Sequence, residues 1–72
     1  MKLHELTIKD IGKLITVHSQ GGFVSGDLRE FSFQFERVTD YSGRTDRYLS
    51  RVMVVVGEWS ATLNPDTDFE LN

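Results

Sequence analysis

The chain has 72 residues, with eight lysines and arginines against eleven aspartates and glutamates, a formal net charge of −3, and no cysteine. This length makes one domain, residues 1–72, near the lower limit for a self-sufficient core, and 39% apolar with 26% charged residues is the composition of a folded chain. The charge disfavours duplex nucleic acid, whose binding draws on a surplus of cations, and the absence of cysteine excludes disulfides and thiolate metal sites.

At the N-terminus no signal-peptide core is visible, so a cytoplasmic location is expected. Thr7-Ile8-Lys9-Asp10 reads as a capping box, with Asp10 reaching back to the residue that starts a turn. Gly12 follows as a left-handed C-terminal cap. One short helical turn is expected here, with Leu3, Leu6 and Ile11 closing one end of a core. From Lys13 the period becomes two. Leu14, Thr16 and His18 alternate with Ile15, Val17 and Ser19 in a strand that meets a Gly21-Gly22 turn. In the next strand Val24, Gly26 and Leu28 share a face, and further on Phe31, Phe33 and Phe35 do. The step from Leu28 to Phe31 is odd, so a bulge or bend near Arg29-Glu30 is needed to bring both sets to one core.

Asp40 to Asp46 is a polar loop with Gly43 at its centre, the tip of a long hairpin. A strand from Tyr48 to Val56 follows. Its segment Val52-Met53-Val54-Val55-Val56 is apolar on both faces, which suggests cover on both sides, and it is too short to span a bilayer. Gly57-Glu58 suits a two-residue hairpin turn. Trp59, Ala61 and Leu63 then alternate with Ser60 and Thr62. Asn64-Pro65-Asp66-Thr67 has type I turn residues, and Phe69 to Leu71 forms a last strand. These elements predict an all-β chain: a small, strongly bent barrel of five to six strands, Sm-like or SH3-like, after one N-terminal helical turn.

Over roughly residues 6 to 36 the chain resembles Sm-like proteins. Gln20-Gly21, Gly26, Leu28 and Phe31-Ser32 occupy the positions of that family's first motif, and Ile11-Gly12-Lys13 is similar to its helix-to-strand junction. The resemblance implies a small barrel whose fourth and fifth strands pair between neighbouring subunits. It does not carry RNA binding over. The positions of the family's base-contacting aspartate and asparagine hold Ser32 and Glu36, and Val54 to Trp59 lacks the basic turn of the second motif. Residues 56–67 also resemble a segment of small accessory proteins of actinobacterial phages.

No catalytic constellation stands out. His4 and His18 lack partners at metal-ligand spacing, and the acids at 40, 46, 66, 68 and 70 fall in turns and the tail. No enzyme activity, cofactor or metal is expected. Tyr41, Arg44, Arg47, Tyr48 and Arg51 gather aromatics and arginines in eleven residues, a mixture that can stack on bases and contact phosphate. In the alternative, Tyr48 packs inward and the arginines pair with Asp40, Asp46 and neighbouring acids. Trp59 would anchor a partner if it sits on a rim, although its alternation with Ala61 and Leu63 suits core packing. The outer face of Val52–Val56 needs cover, from another subunit or from the chain's own ends. The sequence thus points to a self-associating, non-enzymatic module that binds a protein. The alternative is an oligomeric binder of RNA, single-stranded DNA or a nucleotide through Tyr41–Arg51.

Overall fold

The computed structural model describes residues 1–19 and 21–72. Five strands form one antiparallel sheet: β1 (Leu14–Ser19), β2 (Gly22–Thr39), β3 (Thr45–Val56), β4 (Trp59–Leu63) and β5 (Phe69–Leu71), in the order β4-β3-β2-β1-β5. The first motif's Gln20 lies outside the described residues. No helix among the described residues is long and apolar enough to cross a membrane.

The long strand sets the shape. Eighteen residues of straight strand would reach about 60 Å, yet the longest dimension of the molecule is 45 Å. β2 therefore bends. Its first six residues pair with β1, and from Leu28 it pairs with β3. The register slips between Leu28 and Glu30, so Arg29 is the extra residue of a bulge where the phase argument requires one. At this corner a Cβ on Gly26 would lie 3.2 Å from Val56 Cγ1 and 3.4 Å from the Gly57 nitrogen, so only glycine lets the layers close to this distance. Gly57 itself takes φ +59° between the paired Val56 and Trp59, and Glu58 keeps a negative φ; the pattern is that of a Gly-X type II′ turn.

The core consists of Leu3, Leu6, Ile15, Val17, Leu28, Val52, Val54, Val56 and Phe69, with Val24, Phe31, Phe33, Leu49, Trp59 and Leu63 packed around it. Fully buried Phe69 explains how a three-residue strand holds its place.

Four expectations need correction. The sheet does not close into a barrel. Where β4 would meet β5, the N-terminal segment intervenes: Phe69 N–H donates to the Met1 carbonyl (2.8 Å), Leu3 N–H to Thr67 (3.0 Å) and His4 N–H to Pro65 (3.1 Å), with Lys2 bridged to Asp68. The single helical turn is two 3₁₀ turns, Leu3–Glu5 and Ile8–Asp10, because extended Leu6 separates them as it plugs the core. Ile11 does not help to close the core end; it is 43% exposed. Phe35 leaves the core as well, at 60% exposure, because β2 and β3 run on past the end of the packed layer. A second slip, at Gln34/Phe35, makes Ser50 the extra residue of β3, and its hydroxyl donates to the Gln34 carbonyl (3.1 Å).

The Thr7–Asp10 box is present as Thr7 N–H to Asp10 Oδ2 (2.9 Å) and Thr7 hydroxyl to the same oxygen (3.3 Å). Gly12 follows it at φ +91°. The Asn64–Thr67 turn closes through Thr67 N–H to the Asn64 carbonyl (2.9 Å) and Asp66 N–H to Asn64 Oδ1 (2.8 Å).

Candidate functional site

Beyond Phe33 and Val52 the β2–β3 hairpin continues as an arm, residues 35–49, that runs past the core; Leu49, at its root, is the last residue packed against it. Its tip is organised by one carboxylate. Asp40 Oδ1 accepts from the Ser42 hydroxyl (2.7 Å), Ser42 N–H (3.0 Å) and Arg44 N–H (3.0 Å). The Ser42 hydroxyl and the Arg44 amide hold the Asp40 carboxyl below its ordinary pKa.

Strand alternation divides the arm into two unlike faces. Phe35, Arg37 and Thr39 lie opposite Leu49, Arg47 and Thr45 on the face continuous with the core. Glu36 and Val38 lie opposite Tyr48 and Asp46 on the other. The first face carries no acid and sets two guanidinium groups directly opposite each other, an arrangement that costs stability. On the second, the Tyr48 hydroxyl donates to Glu36 Oε2 (2.7 Å), a bond that raises the phenol's pKa.

The expectation that Asp40, Asp46 and neighbouring acids neutralise the arginines is not met. Among the described residues the ion pairs are Lys2–Asp68, Lys13–Asp10, His18–Glu70 and Arg29–Asp27. Arg37, Arg44, Arg47 and Arg51 take part in none of them, and they are half of the chain's basic residues.

An open cleft of about 820 Å³ lies at the root of the arm, where β4 ends and the Asn64–Asp66 turn leaves the sheet. Tyr48, Leu49, Ser50 and Arg51 line one side, with Glu36, and His4, Asn64, Pro65 and Asp66 line the other. Two of the sequence candidates, Tyr48 and Arg51, thus share a cleft. Tyr41 stands fully exposed at the tip, Arg44 is in the tip turn, and Arg47 is on the core-side face. Trp59 is half-buried on β4, packed against the core and away from the cleft lining. Val52, Val54 and Val56 are buried core residues; Met53 and Val55 are half-buried on the outer face, flanked by Ser32 and Thr62 and by Glu30 and Ser60.

Sequence reasoning missed Arg37 and the far wall of the cleft. Arg37 was within reach, because a tip closed by Asp40 and Arg44 sets Thr39 opposite Thr45 and Arg37 opposite Arg47. His4 meets Pro65 through a pairing of chain ends that no local pattern announces. Among the described residues no group of three or more His, Asp and Glu side chains is placed to share a metal ion.

Compared with known proteins, the chain matches no protein-family model, no curated protein and no solved structure.

Proposed function

We propose that this protein is a non-enzymatic binding module of the small-barrel type, an opened relative of the Sm and SH3 folds, that self-associates and binds a protein partner. One observation carries the reading: the sheet ends in an unpaired strand. The two-residue turn at Gly57-Glu58 makes Val56–Trp59 a hydrogen-bonded pair, so Ser60 and Thr62 aim their backbone groups away from β3. Among the described residues no strand lies on that side of β4. A free edge is a template for another strand. Pairing β4 with β4 of a second copy is self-complementary and closes at a dimer. The Sm arrangement of β4 against a neighbour's β5 fits less well, since Met1 already takes the outward N–H of Phe69 at the head of this three-residue strand and Lys2 bridges Asp68 just before it.

Further support comes from the projecting arm, which keeps Phe35, Val38, Tyr41 and Tyr48 exposed without a core to pack on. The resemblance of residues 56–67 to phage accessory proteins provides a setting for such a module. The carboxylates also suit a scaffold: Asp10, Asp40 and Asp68 are engaged with Thr7, Ser42 and Lys2. Light scattering at micromolar concentration tests the reading. A mass of two chains is expected, and Thr62→Pro, which removes an outward-facing N–H and no ladder bond, should return one chain. A wild-type protein that stays monomeric at all concentrations rejects self-association.

The arginines without carboxylate partners favour a second reading, a binder of RNA, single-stranded DNA or a nucleotide. It requires affinity for a short oligothymidylate that falls with salt and with Arg47→Ala.

A further inference from the structure

The geometry points to a second strand-accepting edge, on β3 from Thr45 to Leu49, that takes an extended acidic segment of a protein partner. This deepens the reading of the protein as a protein-binding module and rests on it. β4 covers β3 only from Val52 to Val56. Past Leu63 the chain turns away, and the lane that β4 would occupy continues along β3 with nothing in it among the described residues. The cleft of about 820 Å³ between Tyr48–Arg51 and Asn64–Asp66 is the mouth of that lane.

The lane presents usable backbone. Asp40 N–H donates to the Arg44 carbonyl (3.0 Å), which makes these residues a hydrogen-bonded pair. By alternation Val38–Asp46 and Glu36–Tyr48 are hydrogen-bonded pairs too. Thr45, Arg47 and Leu49 therefore direct their N–H and C=O groups outward, into the lane. An added strand would take its main-chain bonds from Arg47 and Leu49.

Side chains define what that strand must carry. On the core-side face it would lie beside Arg47, with Arg37 one strand further, and beside Leu49, with Phe35 beyond. An acid next to Arg47 relieves the Arg37–Arg47 repulsion, and an apolar residue two positions away covers Leu49 and the exposed ring of Phe35. The same arginines repel basic strands and so restrict what the edge accepts. A second copy of this face is disfavoured, because it would bring four guanidinium groups together. A nucleic acid strand fits less well: its continuous phosphates would run past Glu36, Asp46 and Asp66 on a chain of net charge −3.

The test uses a dye-labelled, end-capped peptide Thr-Thr-Ile-Thr-Glu-Thr-Glu-Thr-Thr, with binding read by fluorescence anisotropy on the intact protein. Binding is expected to weaken about tenfold with Arg47→Glu and to be lost when the peptide's alternate backbone nitrogens are methylated. A peptide with lysines in place of the glutamates should ignore the wild type and bind the R37E/R47E double variant, a rescue that misfolding cannot imitate. Amide exchange at Arg47 and Leu49 should slow on binding. The proposal is overturned if the peptide does not bind, if it binds regardless of charge or N-methylation, or if only oligothymidylate binds in an Arg47-dependent way. Dimerisation through β4 is read separately in the Thr62→Pro comparison, so loss of the peptide site leaves that result standing.

Discussion

Asp10 shows how much a single side chain can hold in a chain this small. It is the buried charged residue among those described, and its carboxylate accepts from the Thr7 amide and hydroxyl with Lys13 Nζ at 3.5 Å. The Thr7 amide is the leading cause of its lowered pKa, followed by the Thr7 hydroxyl and Lys13, against the opposing cost of burial. A carboxyl depressed in the folded state stabilises the fold above its unfolded pKa of about 3.9, and that contribution is lost as pH falls through the folded value. Asp10→Asn should therefore cost about 1 kcal/mol at pH 7, with the difference from wild type shrinking as urea unfolding is repeated down to pH 3. A difference constant with pH would contradict the assignment. Gly26 makes a second case. Gly26→Ala must push on Val56 and the Gly57 backbone and should cost about 1–2 kcal/mol. Gly22→Ala, with nothing within 4 Å, should change stability by less than about 0.5 kcal/mol in the same denaturation series.

At the scale of elements, the hairpin β2–β3 is two structures in sequence. Near the bend it is core, with Val52, Val54 and Val56 buried against Leu28; beyond Phe35 and Leu49 it is an exposed two-stranded ribbon. Ribbons of that kind are marginal by themselves. Native-state hydrogen exchange should find amides of residues 36–48 opening at little cost, while Val52–Val56 exchange only with global unfolding; equal protection throughout would show that the arm is held by something else. The strands and the Arg29 bulge were legible because each apolar residue lies on a definite side of a two-residue repeat, and an odd step between Leu28 and Phe31 has few remedies. The end of the core was not legible. Phe35 continues the pattern of Phe31 and Phe33 without interruption, and only the absence of a facing layer leaves it exposed. The same limit applied to the cleft, since Tyr48 and Arg51 are read from local composition while His4 and Pro65 arrive through a contact across the whole chain.

For the whole molecule, closure is decided at the chain ends. A sheet in this strand order becomes a barrel when β4 and β5 meet, and here Met1, Lys2 and Leu3 lie along residues 67–69, the approach to β5 and its first residue. Lys2 Nζ sits 2.7 Å from Asp68 Oδ1, an exposed pair that raises the lysine pKa and lowers the aspartate's, beside the backbone bonds that hold the segment. What remains is a curled sheet in which, among the described residues, β4 is unpaired at one side, with an arm beyond it whose core-side face carries Arg37 and Arg47. The proposed self-association through β4 is decided by native mass spectrometry of wild type beside Thr62→Pro. A dimer is expected, and the substitution should convert it to monomer with its circular dichroism unchanged. A wild-type monomer, or an oligomer that Thr62→Pro leaves intact, would contradict it.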